Sequence, residues 1–163
     1  MSFNNLTLSE KLDLYEKGYK NLKTFLESLP VDSLTFSPDP ENHWNIKKIA
    51  IHLTDTEGVF FVRFRQILSQ PGLDFLRVGQ DNWDKPLVYS GQDLNLNLQV
   101  LETLRLSNFT LLKSIPATDW KEKTFKLNNE LFPLEAALSR NLMHFYHHFD
   151  IIKKRYNQYN EQH

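Results

Sequence analysis

The chain has 163 residues, 40% of them hydrophobic and including 12 Phe, 6 Tyr and 3 Trp, a supply that suits one domain with a sizeable core. Its 19 Lys and Arg nearly balance 20 Asp and Glu, for a formal charge of -1, so no electrostatic field calls for nucleic acid or an anionic membrane as partner. Cysteine is absent, which excludes disulfides and a protein-borne thiol nucleophile; with no apolar run near the roughly 18 residues that span a bilayer and no signal-like pattern in Met1 to Leu12, a soluble cytoplasmic protein is expected.

Four long helical patterns follow, and almost nothing reads as a strand. The first opens on a capping-box candidate, Thr7-Leu8-Ser9-Glu10, and repeats Leu12, Tyr15, Tyr19, Leu22, Leu26 and Leu29 at steps of three and four until Pro30 ends it. The second opens near Asn45 and carries Ile46, Ile49, Leu53, Phe60, Phe64 and Ile67 to the breaker Pro71-Gly72. Ser90-Gly91-Gln92-Asp93 supplies a cap candidate for the third, which runs through Leu94, Leu98, Leu101, Leu104, Phe109 and Leu112 to Pro116. The fourth begins at Pro133, whose fixed φ suits a first helical residue, and repeats Leu138, Leu142, Phe145, Phe149, Ile152 and Tyr156.

Between the second and third patterns lies a connection of about 20 residues, Gln70 to Asp93, with Pro71, Gly72, Gly79, Pro86 and Gly91. That is too long for a hairpin turn, and a long crossover lays two sequential helices parallel. Trp120 to Phe132 has room for a short extended piece around Thr124-Phe125-Lys126-Leu127. No repeat or domain boundary interrupts the chain, so residues 1–163 are expected to form one all-α domain, a four-helix bundle with a long crossover between helices 2 and 3.

Chemistry concentrates in His144-Phe145-Tyr146-His147-His148. Four residues advance a helix by about 400° and roughly 6 Å, so the His144 and His148 rings share a face and can converge on one divalent ion. His147 points about 100° away from His148 by the same geometry. The other histidine on a strongly apolar helix is His52, in Ile49-Ala50-Ile51-His52-Leu53, on the shoulder of its seam with Thr56, Val59 and Arg63. One ligand from the second helix and two from the fourth make a three-histidine site. A histidine beside an apolar face also serves as a hydrogen-bonded packing residue, and the His-Glu-x-x-His pattern of zinc proteases is absent.

Other side chains carry two readings each. Asp55, one turn after His52, is the candidate catalytic residue, able to orient that imidazole or accept a proton, or else an exposed helix-surface acid. Glu57 reads as solvated, and Arg63 as meeting either an anionic substrate or a surface acid. Lys153-Lys154-Arg155 reads as a solvated helix end. Trp44 packs the start of the second helix or touches a ligand; Trp83 pins the crossover or walls the cleft. His43, in a loop, and His163, at the last position, are not placed to help.

The stretch His43-Trp44-Asn45-Ile46-Lys47-Lys48-Ile49-Ala50-Ile51-His52-Leu53-Thr54-Asp55-Thr56-Glu57 resembles the second-helix signature of the DinB-like (YfiT/DinB) superfamily, where a Trp and an apolar turn lead into His-Leu-x-Asp-x-Glu. The run from His144 to His148 is similar to the same family's His-x-x-x-His. Asp81-Asn82-Trp83-Asp84-Lys85-Pro86 resembles its crossover, and Leu104-Arg105-Leu106-Ser107-Asn108 its third helix. The resemblance implies a divalent metal, zinc or nickel, held by His52, His144 and His148. Three imidazoles leave a coordination position open, the mark of a catalytic site, where water or a thiol can be activated. It further implies a thiol S-transferase with a low-molecular-weight thiol as co-substrate, a hydrolase or a thiol-dependent isomerase, without choosing among them. The alternative is a bundle that binds metal or ligand without turnover in stress response. The expected assembly is a homodimer with a small-molecule substrate, without nucleic acid or membrane.

Overall fold

Short polar side chains set where the long helices begin. Thr7 accepts from the Glu10 N–H while Glu10 reaches back to the Thr7 N–H, closing a capping box at the head of α1 (Leu8–Glu27). The Asn45 side chain accepts from the Lys48 N–H at 2.9 Å and opens α2 (Ile46–Ser69), and Asp93 accepts from the Leu96 N–H at 2.8 Å to open α3 (Leu94–Lys113). A single turn, α4 (Asp119–Glu122), precedes the last long helix, α5 (Leu134–Asn160). The computed structural model describes residues 3, 5–40, 44–77, 83 and 86–162. His43, Gly79, His163 and, within the crossover motif, Asp81, Asn82, Asp84 and Lys85 lie outside the described residues.

Two details differ from the sequence reading around Pro133. The extended piece at Thr124–Leu127 (β1) has a partner, Glu130–Pro133 (β2), and the two form an antiparallel hairpin. Asn128 and Asn129 turn it with φ of 53° and 65°, the left-handed pair that a tight two-residue hairpin needs and that Asn tolerates. Pro133 therefore ends a strand in extended conformation and stands just before α5, whose first residue is Leu134; the Leu134 N–H is taken by the Lys123 carbonyl at 2.8 Å. The start of the crossover joins this hairpin, with Gly72 and Phe75 donating to the Thr124 and Lys126 carbonyls, both at 2.8 Å.

Side-chain pairs fix the helix directions. Thr54 bonds the Asn97 carbonyl and Arg65 bonds Asn108, so α2 and α3 run parallel, as the long crossover requires. Lys11 pairs with Glu135 and Phe25 packs on Tyr156, which makes α1 and α5 parallel as well. Tyr19 reaches Glu102 and Arg105 reaches the Tyr15 carbonyl, so α1 and α3 are antiparallel. Arg155 donates to the Trp44 carbonyl while Asn141 meets Glu57, so α2 and α5 are antiparallel too. The order along the chain is up, down, down, up.

The apolar core forms two layers. Tyr15, Phe60, Phe64, Leu112, Leu138 and Leu142 pack toward the hairpin, and Tyr19, Leu22, Ile49, Leu53, Leu101, Phe145 and Ile152 pack toward the other end. Between them lies a polar layer in which Glu57, 2% exposed, accepts from Tyr15, from Arg105 at 3.1 Å, from Asn108 at 2.8 Å and from Asn141 at 3.1 Å. The Arg105 guanidinium stacks over Tyr15 and Phe145. Gly18 leaves room for it, since a Cβ there would lie 3.2 Å from Arg105 Nη2 and 3.1 Å from the Phe145 ring. The solvated reading of Glu57 is thus wrong. It stands four residues after Leu53 and three before Phe60, inside the seam, and position rather than residue type decided its burial.

Candidate metal centre

The antiparallel contact of α2 and α5 brings together the three histidines. His52 is buried at 2% exposure, and His144 and His148 are half-buried one turn apart on α5. Ring centroids stand 5.1 Å apart for His52 and His144, 4.7 Å for His52 and His148, and 4.4 Å for His144 and His148. One ring nitrogen from each lies within 4.8 Å of the others. His147 is exposed and stands outside this group, its ring beside that of His148.

Burial keeps His144 and His148 uncharged. Burial pushes the His144 pKa down to about 3, helped by His52, His147 and Arg63, and burial also takes His148 down to about 3, with His144, His52 and His147 adding to the shift. Neutral imidazoles are the form that binds a cation. The Nε2 atoms of His52 and His144 are 3.2 Å apart, close to the roughly 3.3 Å edge of a tetrahedron built on Zn–N bonds of about 2.05 Å. The buried Nδ1 of His148 has no hydrogen-bond partner among the described residues. An all-nitrogen donor set of three imidazoles fits a borderline divalent ion such as zinc or nickel.

A polar and aromatic wall flanks the cluster. Thr56 Oγ1 donates to the His52 carbonyl at 2.8 Å and stands 3.5 Å from His52 Nε2. The Trp44 ring contacts both His52 and Tyr89, at 5.1 and 5.8 Å, so Trp44 packs the helix start and lines the site at once. Asp55 is half-buried, and its Oδ2 accepts from the Tyr89 hydroxyl at 2.7 Å rather than from the imidazole. Burial raises its pKa, and the Tyr89 bond opposes that rise. Val88, just before Tyr89, holds a left-handed backbone with φ of 49°, costly for a β-branched residue, and sets the turn that buries Tyr89.

Arg63 pairs with no acid among the described residues. Its Nε and Nη2 donate to the Leu76 carbonyl at 3.0 and 2.6 Å, and its guanidinium lies over the Phe60 and Phe75 rings. Arg155 is also unlike its reading: it is buried and bonded to the Trp44 carbonyl, whereas Lys153 and Lys154 are exposed. Trp83 accepts from the Leu87 N–H at 3.0 Å. No sequence signal singled out Tyr89, because it comes from a loop with no periodicity.

The sequence profile of the DinB superfamily matches residues 14–152, which include all four long helices in whole or in large part and all three clustered histidines. The chain belongs to the DinB superfamily. Similar to this DinB-superfamily chain is a Halalkalibacterium halodurans protein named "putative metal-dependent hydrolase", 23% identical over 114 residues, 70% of this chain and 66% of that protein. The chain thus spans just under two thirds of the length of that curated relative. The solved structure of YfiT from Bacillus subtilis, described as "a probable metal-dependent hydrolase with an unusual four-helix bundle topology", matches with a TM-score of 0.84 at 19% identity, over 96% of this chain and 91% of that one. At that identity the likeness is one of fold. Among the described residues no helix is long and apolar enough to cross a membrane.

Proposed function

We propose that this chain is a metal-dependent hydrolase of a small molecule, working at the α2–α5 cleft with one divalent ion, zinc or nickel, held by His52, His144 and His148. The observation that carries the reading is the convergence of three imidazoles from two antiparallel helices, two of them held uncharged by burial, with no carboxylate among them. Such an ion, when bound, supplies Lewis-acid polarisation and a lowered pKa for water. The chain supplies the remainder. Burial holds His144 and His148 unprotonated, Trp44 and Tyr89 shield one flank from water, and the Oδ atoms of Asp55, raised in basicity by burial, accept a proton at the rim. We place the protein in the cytoplasm as a homodimer, without a nucleic-acid or membrane partner.

An S-transferase using a low-molecular-weight thiol would need the same open centre, and since the chain has no cysteine the thiol would arrive as a co-substrate. Elemental analysis of protein purified without an affinity tag is expected to find one divalent ion per chain. His52→Ala and His148→Ala should lose it and His147→Ala should keep it. Assays on esters and amides, and on a thiol paired with an electrophile, then separate hydrolase from transferase. A bound ion with no turnover in any assay would turn the reading to a non-catalytic binding bundle, and equal ion loss at His147 and His148 would overturn the ligand set.

A further inference from the structure

The histidine stripe on α5 continues one turn toward the helix start to a cation. Arg140, His144 and His148 recur at intervals of four, so they share one face. On α2 the matching stripe is His52, Thr56, Val59 and Arg63. Because the helices are antiparallel and His52 faces His144 and His148, Arg63 comes opposite Arg140. The electrostatics agree: Arg140 depresses the Arg63 pKa, second only to burial, and Arg63 in turn acts on His144.

Neither guanidinium has a carboxylate partner among the described residues. Arg63 gives two N–H groups to the Leu76 carbonyl and lies 4.2 Å from the Phe75 ring centre. Arg140 lies 5.4 Å from the Phe132 ring centre and makes no hydrogen bond or ion pair with any described residue. Of the other cations drawn into this molecule, Arg105 has Glu57 and Lys11 has Glu135, while Arg65 and Arg155 are each bonded to one carbonyl and one side-chain amide oxygen. Two like charges in a partly buried cleft repel. Stacking on aromatic faces occupies the flat sides of a guanidinium and leaves its edge donors, the ones that grip an oxyanion two at a time; Arg140 keeps both edges, and Arg63, whose Nε edge is taken by the Leu76 carbonyl, keeps the Nη1–Nη2 edge.

We propose that Arg63 and Arg140 form an oxyanion subsite beside the three-histidine cluster, so that the small molecule taken there carries a carboxylate or phosphate group about one helical turn, roughly 6 Å, from its reacting centre. The inference rests on the proposed function for the reacting centre and on the arginine pair alone for the anion. Arg63 orients the crossover as well as the ligand. Arg140 has no such second task.

The test is calorimetric titration of inorganic phosphate and of succinate into the full chain stripped with a chelator, at low salt. Saturable binding of either probe is expected, weakened at least tenfold in Arg140→Gln and in Arg63→Gln, less in Arg140→Lys, and weakened by added chloride. Arg140→Gln should keep the parent's melting temperature and metal content, which separates a binding defect from a folding one. No saturable binding of either probe, or unchanged binding in Arg140→Gln, overturns the subsite. Normal metal content without probe binding defeats the subsite alone, and probe binding by a chain that takes up no metal defeats the metal reading alone.

Discussion

Two buried polar groups stand within about one and a half turns of each other on α2, and they differ in what they lack. Glu57 accepts four hydrogen bonds from Tyr15, Arg105, Asn108 and Asn141, one charge of each sign meeting inside the bundle. His52 meets two more imidazoles, and that cluster of three includes no acid among the described residues. The first group is complete in charge, since Glu57 and Arg105 pair within the chain although Arg105 Nε and Asn141 Oδ1 find no hydrogen-bond partner among the described residues, and it ties α1, α3 and α5 to α2. The second sets nitrogen against nitrogen at 3.2 Å, an arrangement that an external cation completes. Charge pairing within the chain separates the two groups, although His52 and Glu57 are equally buried at 2% exposure.

The largest expected effect falls on the complete group. Glu57→Ala leaves Arg105 buried without its counter-ion and should cost about 3–5 kcal/mol in urea unfolding, whereas replacing Glu57 and Arg105 together by apolar residues of similar size should cost far less or nothing. Loss of a histidine ligand in chelated protein should cost little by comparison. Comparable destabilisation by His52→Ala and Glu57→Ala would erase the distinction.

Acid should act on the incomplete group. His144 and His148 have folded pKa values of about 3 against 6.5 for an unperturbed imidazole. Between these limits the unfolded chain binds protons that the folded chain refuses, so their contribution is fully present above pH 6.5 and is lost as pH falls toward 3. Urea midpoints of chelated protein should therefore drop across that window, and His148→Leu should flatten the drop. An unchanged slope in that variant would show that acid unfolds the chain through its carboxylates instead. With an ion present, affinity should fall over the same range as protons compete for the ring nitrogens.

The smallest effect has the opposite sign. Val88 carries left-handed strain where the crossover delivers Tyr89 to Asp55, so Val88→Gly should relieve it and raise stability by about 1 kcal/mol. A loss of stability there would mean that the valine side chain contributes packing worth more than the strain, and the site wall would then resemble the complete group.

Periodicity carried most of the fold. The seams of Leu, Phe and Tyr at steps of three and four, with Thr7, Asn45 and Asp93 at their heads, located the long helices to within a few residues. The hairpin was half visible: Thr124–Leu127 read as extended, while the turn signal in Asn128-Asn129 that announces β2 went unread. Residue type misled where it was weighed above position. Their charge makes Glu57 and Arg155 read as solvated, yet each lies at a seam position and is buried.

The sequence by itself determined that His144 and His148 share a face, because four residues nearly complete a helical turn whatever surrounds the helix. It determined likewise that His52 borders the seam of α2. That the three rings meet was decided by tertiary structure, since it depends on α2 and α5 packing antiparallel at one particular register. Tertiary structure also decided the partners of Asp55, Glu57 and Arg63. Each is bonded to a residue from a different element, and the distance between elements is set by how the whole core packs.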